Sequence, residues 1–123
     1  MKNLTTEQII KNYKDYSMLQ GEYMVNSDYK QNNKIVKKLN NLYLLFKNDM
    51  DLANIVYKEL ISEDTIKFAP NAAANAACDC LRLNIYIDEA LKVLSMMSKR
   101  NNILGFGSEM ALKTWHKKGK LDE

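Results

Sequence analysis

The sequence PNAAANAACDCLRL, from Pro70 to Leu83, contains seven alanine or cysteine residues. On a helix, these residues would together put a small side chain on every face. Alanine is the strongest helix former and proline is well tolerated in a first turn, so a helix is predicted from Pro70 to about Leu83. Side chains this small would let neighbouring helices approach from several directions. We therefore expect this segment to be the central helix of a small helical protein.

The length and composition of the chain favour one helical domain. A chain of 123 residues has the size of a single domain with one hydrophobic core. Four glycines and one proline are few for a protein built of strands and turns. We expect an all-α fold over residues 1–123, with about six helices packed as antiparallel pairs.

Apolar residues recur at three- and four-residue spacing on both sides of the central segment. The first helix is predicted to begin with a capping box from Thr5 to Gln8 and to reach about Met24. The second is predicted to follow a cap at Ser27 and to reach about Lys47. The predicted core positions of the flanking helices are Ile9, Tyr13, Tyr16, Gln20 and Tyr23; Ile35, Val36, Leu39, Leu42, Tyr43 and Phe46; Leu52, Ile55, Val56 and Leu60; and Ala90, Leu91, Leu94 and Met97.

Residues 63–69 are ambiguous between a turn and a short helix. The third helix is predicted to begin near Asp49 and to end near Ser62, where the apolar spacing stops. Asp64 could cap a short turn after it, but Pro70 prevents a continuous helix from running into the central one.

The cysteines and the N-terminus indicate a cytoplasmic protein. Cys78 and Cys80 are two positions apart, and such side chains point in different directions on a helix, so neither a disulfide nor shared metal ligation is expected. The opening MKNLTTEQII lacks the continuous apolar core of a signal peptide, and no run of about 18 apolar residues could span a membrane.

The segment Asn102–Leu121 reads NILGFGSEMALKTWHKKGKL. Its distinctive residues are Leu104, Gly105, Phe106, Glu109, Met110, Leu112 and Trp115, and the pattern extends upstream to Asn75, Ala76, Ala77, Leu81, Ala90, Leu91 and Leu94. This pattern resembles the closing segment of a family of small bacterial helical proteins of unknown function, similar to HEAT and armadillo repeats. The resemblance implies a short HEAT-like α-α superhelix, and such superhelices commonly bind other macromolecules.

The same segment predicts how the last helix docks. Gly105 and Gly107 are expected to form a tight turn before the helix, with Phe106 packed at its entrance. The buried side of the helix is expected to be Met110, Leu112 and Trp115, with Trp115 enclosed between the last two helices.

Charge is unevenly distributed along the chain. Residues 49–94 carry eight acidic and four basic side chains, whereas the segments on either side are basic. In a stack of helix pairs, corresponding turns line up on one edge, so some carboxylates should form an acidic surface. The candidate interaction surface consists of Glu63, Asp64, Asp88 and Glu89. We expect it to bind a basic protein, as an immunity-type or adaptor module would, although the same residues could simply stabilise helix N-termini.

Two alternative functions stay open. The lysines on one face of the second helix, Lys30, Lys34, Lys37 and Lys38, could contact the DNA backbone, but a formal charge of +3 is small for a nucleic-acid-binding domain. An enzyme would need a carboxylate pair, for which Asp79, Asp88 and Glu89 are the nearest candidates. Neither Glu109 nor His116 has a predicted catalytic partner. We therefore expect no catalytic residue, no cofactor and no metal.

Overall fold

The computed structural model describes residues 4–121, and these residues form helices joined by short connections, with no strand among them. The helices are α1 (Thr6–Val25), α2 (Tyr29–Lys47), α3 (Met50–Leu60), α4 (Glu63–Phe68), α5 (Pro70–Leu83), α6 (Ile87–Met97) and α7 (Ile103–Lys118). The predicted all-α class is confirmed. The count differs from about six because the ambiguous segment forms the short helix α4, so the predicted central helix is α5.

Local capping explains where the first helices begin. The capping box of α1 is confirmed, since the Gln8 backbone N–H donates to Thr5 Oγ1 at 3.1 Å and the Thr5 N–H donates to Gln8 Oε1 at 2.9 Å. Helix α2 is capped by Asp28, whose carboxylate accepts from the Gln31 N–H, and the prediction of a cap at Ser27 is wrong. Ser27 instead has a left-handed backbone with φ of 56°, which turns the chain between the two helices.

Helix α4 has its own N-cap residue, and it ends at Phe68, two residues before Pro70. Ser62, rather than Asp64, is the N-cap and accepts from the Thr65 N–H at 3.4 Å. The Thr65 hydroxyl donates to the Glu59 carbonyl at 2.8 Å, which ties α4 to the end of α3. Pro70 occupies the first turn of α5, as predicted, because that position needs no backbone N–H.

Helix α5 is the centre of the structure, as the small residues predict. It contacts α1, α3, α4, α6 and α7. The alanines on its faces are buried, and Ala73, Ala76 and Ala77 have no exposed surface. Their small volume lets the neighbouring helices approach the α5 backbone from several sides.

The apolar faces of the other helices are rotated slightly from the predicted stripes. In α3, Tyr57 is fully buried and Ile55 is exposed, whereas the spacing predicted Ile55 in the core. In α2, Val36 is also exposed. In α1, Ser17 is fully buried while Tyr16 is only partly buried. Each difference reflects the direction from which the neighbouring helices approach, which a single helix cannot specify.

Helix α7 docks differently from the prediction. Gly105 and Gly107 lie inside the helix rather than in a turn before it, and Asn102 caps that helix. Phe106 and Met110 are exposed, so their predicted packing roles are wrong. The contacts with the core come from the residues Leu104, Ala111, Leu112 and Trp115, and all four are only partly buried, including the tryptophan that was expected to be enclosed.

Among the described residues, none of the helices combines the length and the apolar character needed to cross a bilayer.

The packing of α5 predicts that Ala77→Leu destabilises the protein. The larger side chain has no space at this fully buried position, so the free energy of unfolding should fall by about 1–3 kcal/mol. Urea denaturation checks this, with the exposed Asn33→Leu as the matched control expected to stay within about 0.5 kcal/mol of wild type. Equal stability of Ala77→Leu and wild type would contradict the central position of α5.

Two glycines of α7 should respond to alanine in opposite directions. A Cβ at Gly105 would collide with the backbone carbonyl of Arg100, whereas a Cβ at Gly107 has no neighbouring atom within 4 Å. Gly105→Ala should therefore lower the free energy of unfolding by about 1–3 kcal/mol. Gly107→Ala should raise it by about 0.5–1 kcal/mol, because alanine favours the helix. A urea titration of both variants checks the signs, and equal responses would show that α7 does not pack as described.

Candidate functional site

A cleft of about 640 Å³ opens where the C-terminal part of α1, the N-terminal part of α5 and the N-terminal part of α7 come together. The buried residues of its lining are small: they are Ser17, Ala74 and Ser108. Its rim carries the exposed apolar side chains Met18, Met24, Val25 and Ile103. We refer to this feature as the α1–α5–α7 cleft.

The wall between α1 and α5 is held by hydrogen bonds and close packing. The Asn75 side-chain amide donates to Ser17 Oγ at 3.0 Å and to Gln20 Oε1 at 2.8 Å. Gly21 lies against the Asn71 side chain, and a Cβ on Gly21 would collide with the Asn71 amide nitrogen. The glycine therefore allows the two helices to meet closely at this edge of the cleft.

The cleft is close to electrically neutral and rich in amide groups. The charged side chains on its lining are Glu22 and Arg100, one of each sign. Three side-chain amides on the lining each use one atom in a hydrogen bond, and the other atom has none to a described residue: these atoms are Gln20 Nε2, Asn75 Oδ1 and Asn102 Nδ2. Each of these donors or acceptors is able to bond to a bound molecule.

Two adjacent residues of α7 on the cleft are unfavourable for folding. Gly107 is an exposed glycine in the interior of a helix, although no neighbouring atom requires the absence of a side chain there. Ser108 is 3% exposed, and its hydroxyl oxygen has no hydrogen-bond partner among residues 4–121. A helix-interior glycine and a buried unpaired hydroxyl each reduce stability.

Cys78 also borders the cleft, but its thiol is held in the neutral form. The pKa of Cys78 is raised to about 11, mainly by burial; the nearby Arg82 guanidinium opposes this rise and the Asp79 carboxylate adds to it. A cysteine reacts as its thiolate, so this environment does not activate it as a nucleophile. Neither Cys78 nor Cys80 is in a disulfide.

The most strongly perturbed carboxylate lies in the core and is not part of the cleft lining. Tyr13 and Tyr57 donate to Asp79 Oδ2 at 2.7 Å and 3.0 Å, and Arg82 Nη1 donates to Asp79 Oδ1 at 3.0 Å. The Arg82 guanidinium also lies 6.0 Å from the centre of the Tyr43 ring. This Asp79 cluster therefore joins residues of α1, α2, α3 and α5.

Burial dominates the titration of the Asp79 cluster. It raises the pKa of Asp79 from 3.8 to about 6, despite the opposing effect of the tyrosine hydrogen bonds and of the Arg82 charge. Burial and the Asp79 charge raise the pKa of Tyr13 and Tyr57 well above the ordinary value of 10. The tyrosines are thus permanent donors, and the cluster acts as a structural polar core.

The structure does not bring the proposed catalytic carboxylates to one site. Asp79 is buried, whereas Asp88 and Glu89 are exposed in the first turn of α6. Glu109 forms an exposed ion pair with Lys113 at 3.1 Å, and His116 is exposed. Within residues 4–121, no three His, Cys, Asp or Glu side chains are close enough together to hold a metal ion.

The residues of the candidate acidic surface lie in two separate helix starts. Glu63 and Asp64 are exposed in the first turn of α4, and Asp88 and Glu89 are exposed in the first turn of α6. None of the four forms an ion pair with a described residue. All four carboxylates are placed where the positive end of a helix dipole stabilises them.

The lysines of the alternative DNA-binding face, Lys30, Lys34, Lys37 and Lys38, are all exposed on α2. The Lys38 ammonium lies 5.3 Å from the centre of the Tyr16 ring. The side chains are therefore accessible, and their binding to DNA stays a prediction.

No family model, curated protein or solved structure matches the chain. The resemblance to the HEAT-like family therefore stays a prediction.

Sequence reasoning missed the α1–α5–α7 cleft. Met18 and Met24 lie outside the predicted core stripe of α1, which was a signal that they could be exposed. Gly107 was assigned to a turn, which concealed the fact that a helix retains a glycine there.

The raised pKa of Asp79 predicts a pH dependence of stability. The folded state binds the Asp79 proton more tightly than the unfolded state does, so the contribution of this group to stability falls as pH rises from about 4 to about 6. The pKa shift from 3.8 to about 6 corresponds to a decrease of about 3 kcal/mol in the free energy of unfolding. Urea denaturation across this range should show a shallower pH dependence for Asp79→Asn than for wild type.

Tyr57→Phe should have the opposite effect to Asp79→Asn on the pH dependence of stability. It removes a hydrogen bond that favours the charged carboxylate, so the loss of stability with rising pH should be larger than in wild type. Identical pH profiles for wild type and Asp79→Asn would show that Asp79 does not titrate in this range.

Proposed function

We propose that this protein is a non-catalytic interaction module that holds a segment of another protein in the α1–α5–α7 cleft. The observation that carries the proposal is the exposed apolar rim, formed by Met18, Met24, Val25 and Ile103, around a floor of small residues. Apolar side chains grouped around a concave surface favour a partner that removes them from water.

The lining suits a protein segment in its chemistry as well as its shape. Methionine side chains are flexible and polarizable, so Met18 and Met24 can adapt to the side chains of a partner. The amide groups of Gln20, Asn75 and Asn102 offer both donors and acceptors, which is what the peptide groups of a bound segment require.

The acidic residues Glu63, Asp64, Asp88 and Glu89 lie on α4 and α6 and are not part of the cleft lining. Their positions at helix starts already account for their charge. A basic partner held by these four residues is therefore the less supported form of the interaction proposal. An immunity-type or adaptor role fits either form.

Affinity capture from a lysate of the source cells tests the choice of surface. The cleft variant is Met18→Lys combined with Ile103→Lys, which places two charges on the apolar rim. The matched control is Met96→Lys on α6, because Met96 is 47% exposed, against 51% for Met18 and 44% for Ile103. We expect wild type and the control to retain the same partner and the cleft variant to lose it at least about tenfold, which corresponds to about 1.4 kcal/mol.

A second variant separates the two surfaces. It carries Glu63→Gln, Asp64→Asn, Asp88→Asn and Glu89→Gln, and it should retain the partner at both low and moderate salt. Loss of the partner from this neutralised variant, together with its retention by the cleft variant, would contradict binding at the cleft and favour the acidic surface. The melting temperature of each variant, measured in parallel, distinguishes lost binding from lost folding.

A further inference from the structure

The outward side of α2 carries exposed lysines with no acidic side chain among them. These lysines are Lys30, Lys34, Lys37 and Lys38. No aspartate or glutamate occurs from Tyr29 to Lys47, and none of the four lysines forms an ion pair with a described residue. We refer to these four lysines as the basic face of α2.

The spacing of the basic face is unfavourable in the protein alone. Its members lie three or four residues apart, so each ammonium group has another as its neighbour on the helix surface, and like charges at this spacing destabilise a helix. Lys30 also lies in the first turn, where the helix dipole disfavours a positive charge. Helices α1 and α7 instead place a carboxylate four residues from a lysine, in the ion pairs Lys11–Asp15 and Glu109–Lys113. An anionic partner that covered α2 would offset the repulsion.

Exposed leucines continue the same side of α2 toward its C-terminus. Leu44 and Leu45 lie seven residues after Lys37 and Lys38, which is two turns further along the helix. They are 44% and 41% exposed. Helix α2 packs mainly against α1 and α3, so its outward side stays uncovered along a helix of about 28 Å. Positive charge and aliphatic surface therefore lie next to each other on one open side.

This combination of lysine and leucine fits an anionic bilayer better than it fits other polyanions. The negative charge of such a bilayer is spread over many headgroups, so ammonium groups bind it without a fixed geometry. The acyl chains begin just below the headgroups and accept leucine side chains. A nucleic-acid backbone gives the leucines nothing to pack against, and α2 has no arginine for bidentate phosphate contacts. Interfaces between proteins are depleted in lysine.

We infer that the outward side of α2 lies on the surface of a membrane rich in anionic lipids. The basic face contacts the lipid headgroups, and Leu44 and Leu45 enter the boundary between the headgroups and the acyl chains. This surface is separate from the α1–α5–α7 cleft, whose lining contains no residue of α2. The inference therefore goes beyond the proposed function and does not rest on it.

Co-sedimentation with phosphatidylcholine vesicles that contain or lack phosphatidylglycerol tests the inference at about 0.1 M salt. We expect wild type to bind the phosphatidylglycerol vesicles at least about tenfold more tightly than the neutral ones. The basic-face variant, with Lys30→Gln, Lys34→Gln, Lys37→Gln and Lys38→Gln, should lose at least about tenfold of that affinity. Its melting temperature should be no lower than that of wild type, because the repulsion within α2 is removed.

The matched charge control removes four exposed lysines that lie outside α2. It carries Lys58→Gln, Lys67→Gln, Lys92→Gln and Lys99→Gln. It should bind the anionic vesicles within about threefold of wild type, since attraction between exposed charges is screened beyond about 10 Å at this salt concentration.

The leucine variant separates burial of apolar surface from attraction between charges. Leu44→Gln combined with Leu45→Gln leaves the charge unchanged and should weaken binding to the anionic vesicles about fivefold. Its matched control is Met96→Gln combined with Met110→Gln, because Met96 and Met110 are 47% and 46% exposed on α6 and α7. The control should bind as wild type does.

Three results would overturn the inference. The first is that wild type does not bind the anionic vesicles, and the second is that the charge control loses as much affinity as the basic-face variant, which would show attraction by net charge alone. The third uses a DNA duplex, whose binding is measured by fluorescence anisotropy in the same buffer. Duplex binding that needs the basic face, together with unchanged vesicle binding by the leucine variant, would assign the face to nucleic acid.

Discussion

A single buried carboxylate fixes the arrangement of the central helices. Asp79 on α5 accepts hydrogen bonds from Tyr13 of α1 and Tyr57 of α3, and Arg82 pairs with it from one turn further along α5. A charge taken out of water is tolerated only when its hydrogen bonds are satisfied in good geometry. Small changes in the positions of α1 or α3 would leave that group unpaired, so the cluster specifies how these helices meet as well as that they meet.

The small residues of α5 make this arrangement sterically possible. Ala73, Ala76 and Ala77 are fully buried, and α1, α3, α4, α6 and α7 pack against α5. The rings of Tyr13, Phe46 and Tyr57 fill the adjacent space, with Phe46 and Tyr57 only 5.0 Å apart between ring centres. Large side chains from the surrounding helices therefore supply the core volume that α5 itself lacks.

Small side chains also leave the α1–α5–α7 cleft open at the N-terminal end of α5. Ala74, Ser17 and Ser108 are too small to fill the space where three helices come together. The cleft therefore combines polar side chains with an apolar rim. The Asp79 cluster is separate from the cleft, since neither Asp79 nor its tyrosine partners are part of the cleft lining.

The sequence by itself determined the helices, most of their ends and the central position of Pro70–Leu83, because capping, helix propensity and side-chain size act over a few neighbouring residues. Tertiary structure decided which residue of each helix faces the core, as Tyr57 and Ile55 show. It also decided that Asp79 is a buried acceptor, since Tyr13 lies 66 positions away in the chain. The cleft could not be read from the sequence, because it arises from the crossing of three helices and belongs to none of them.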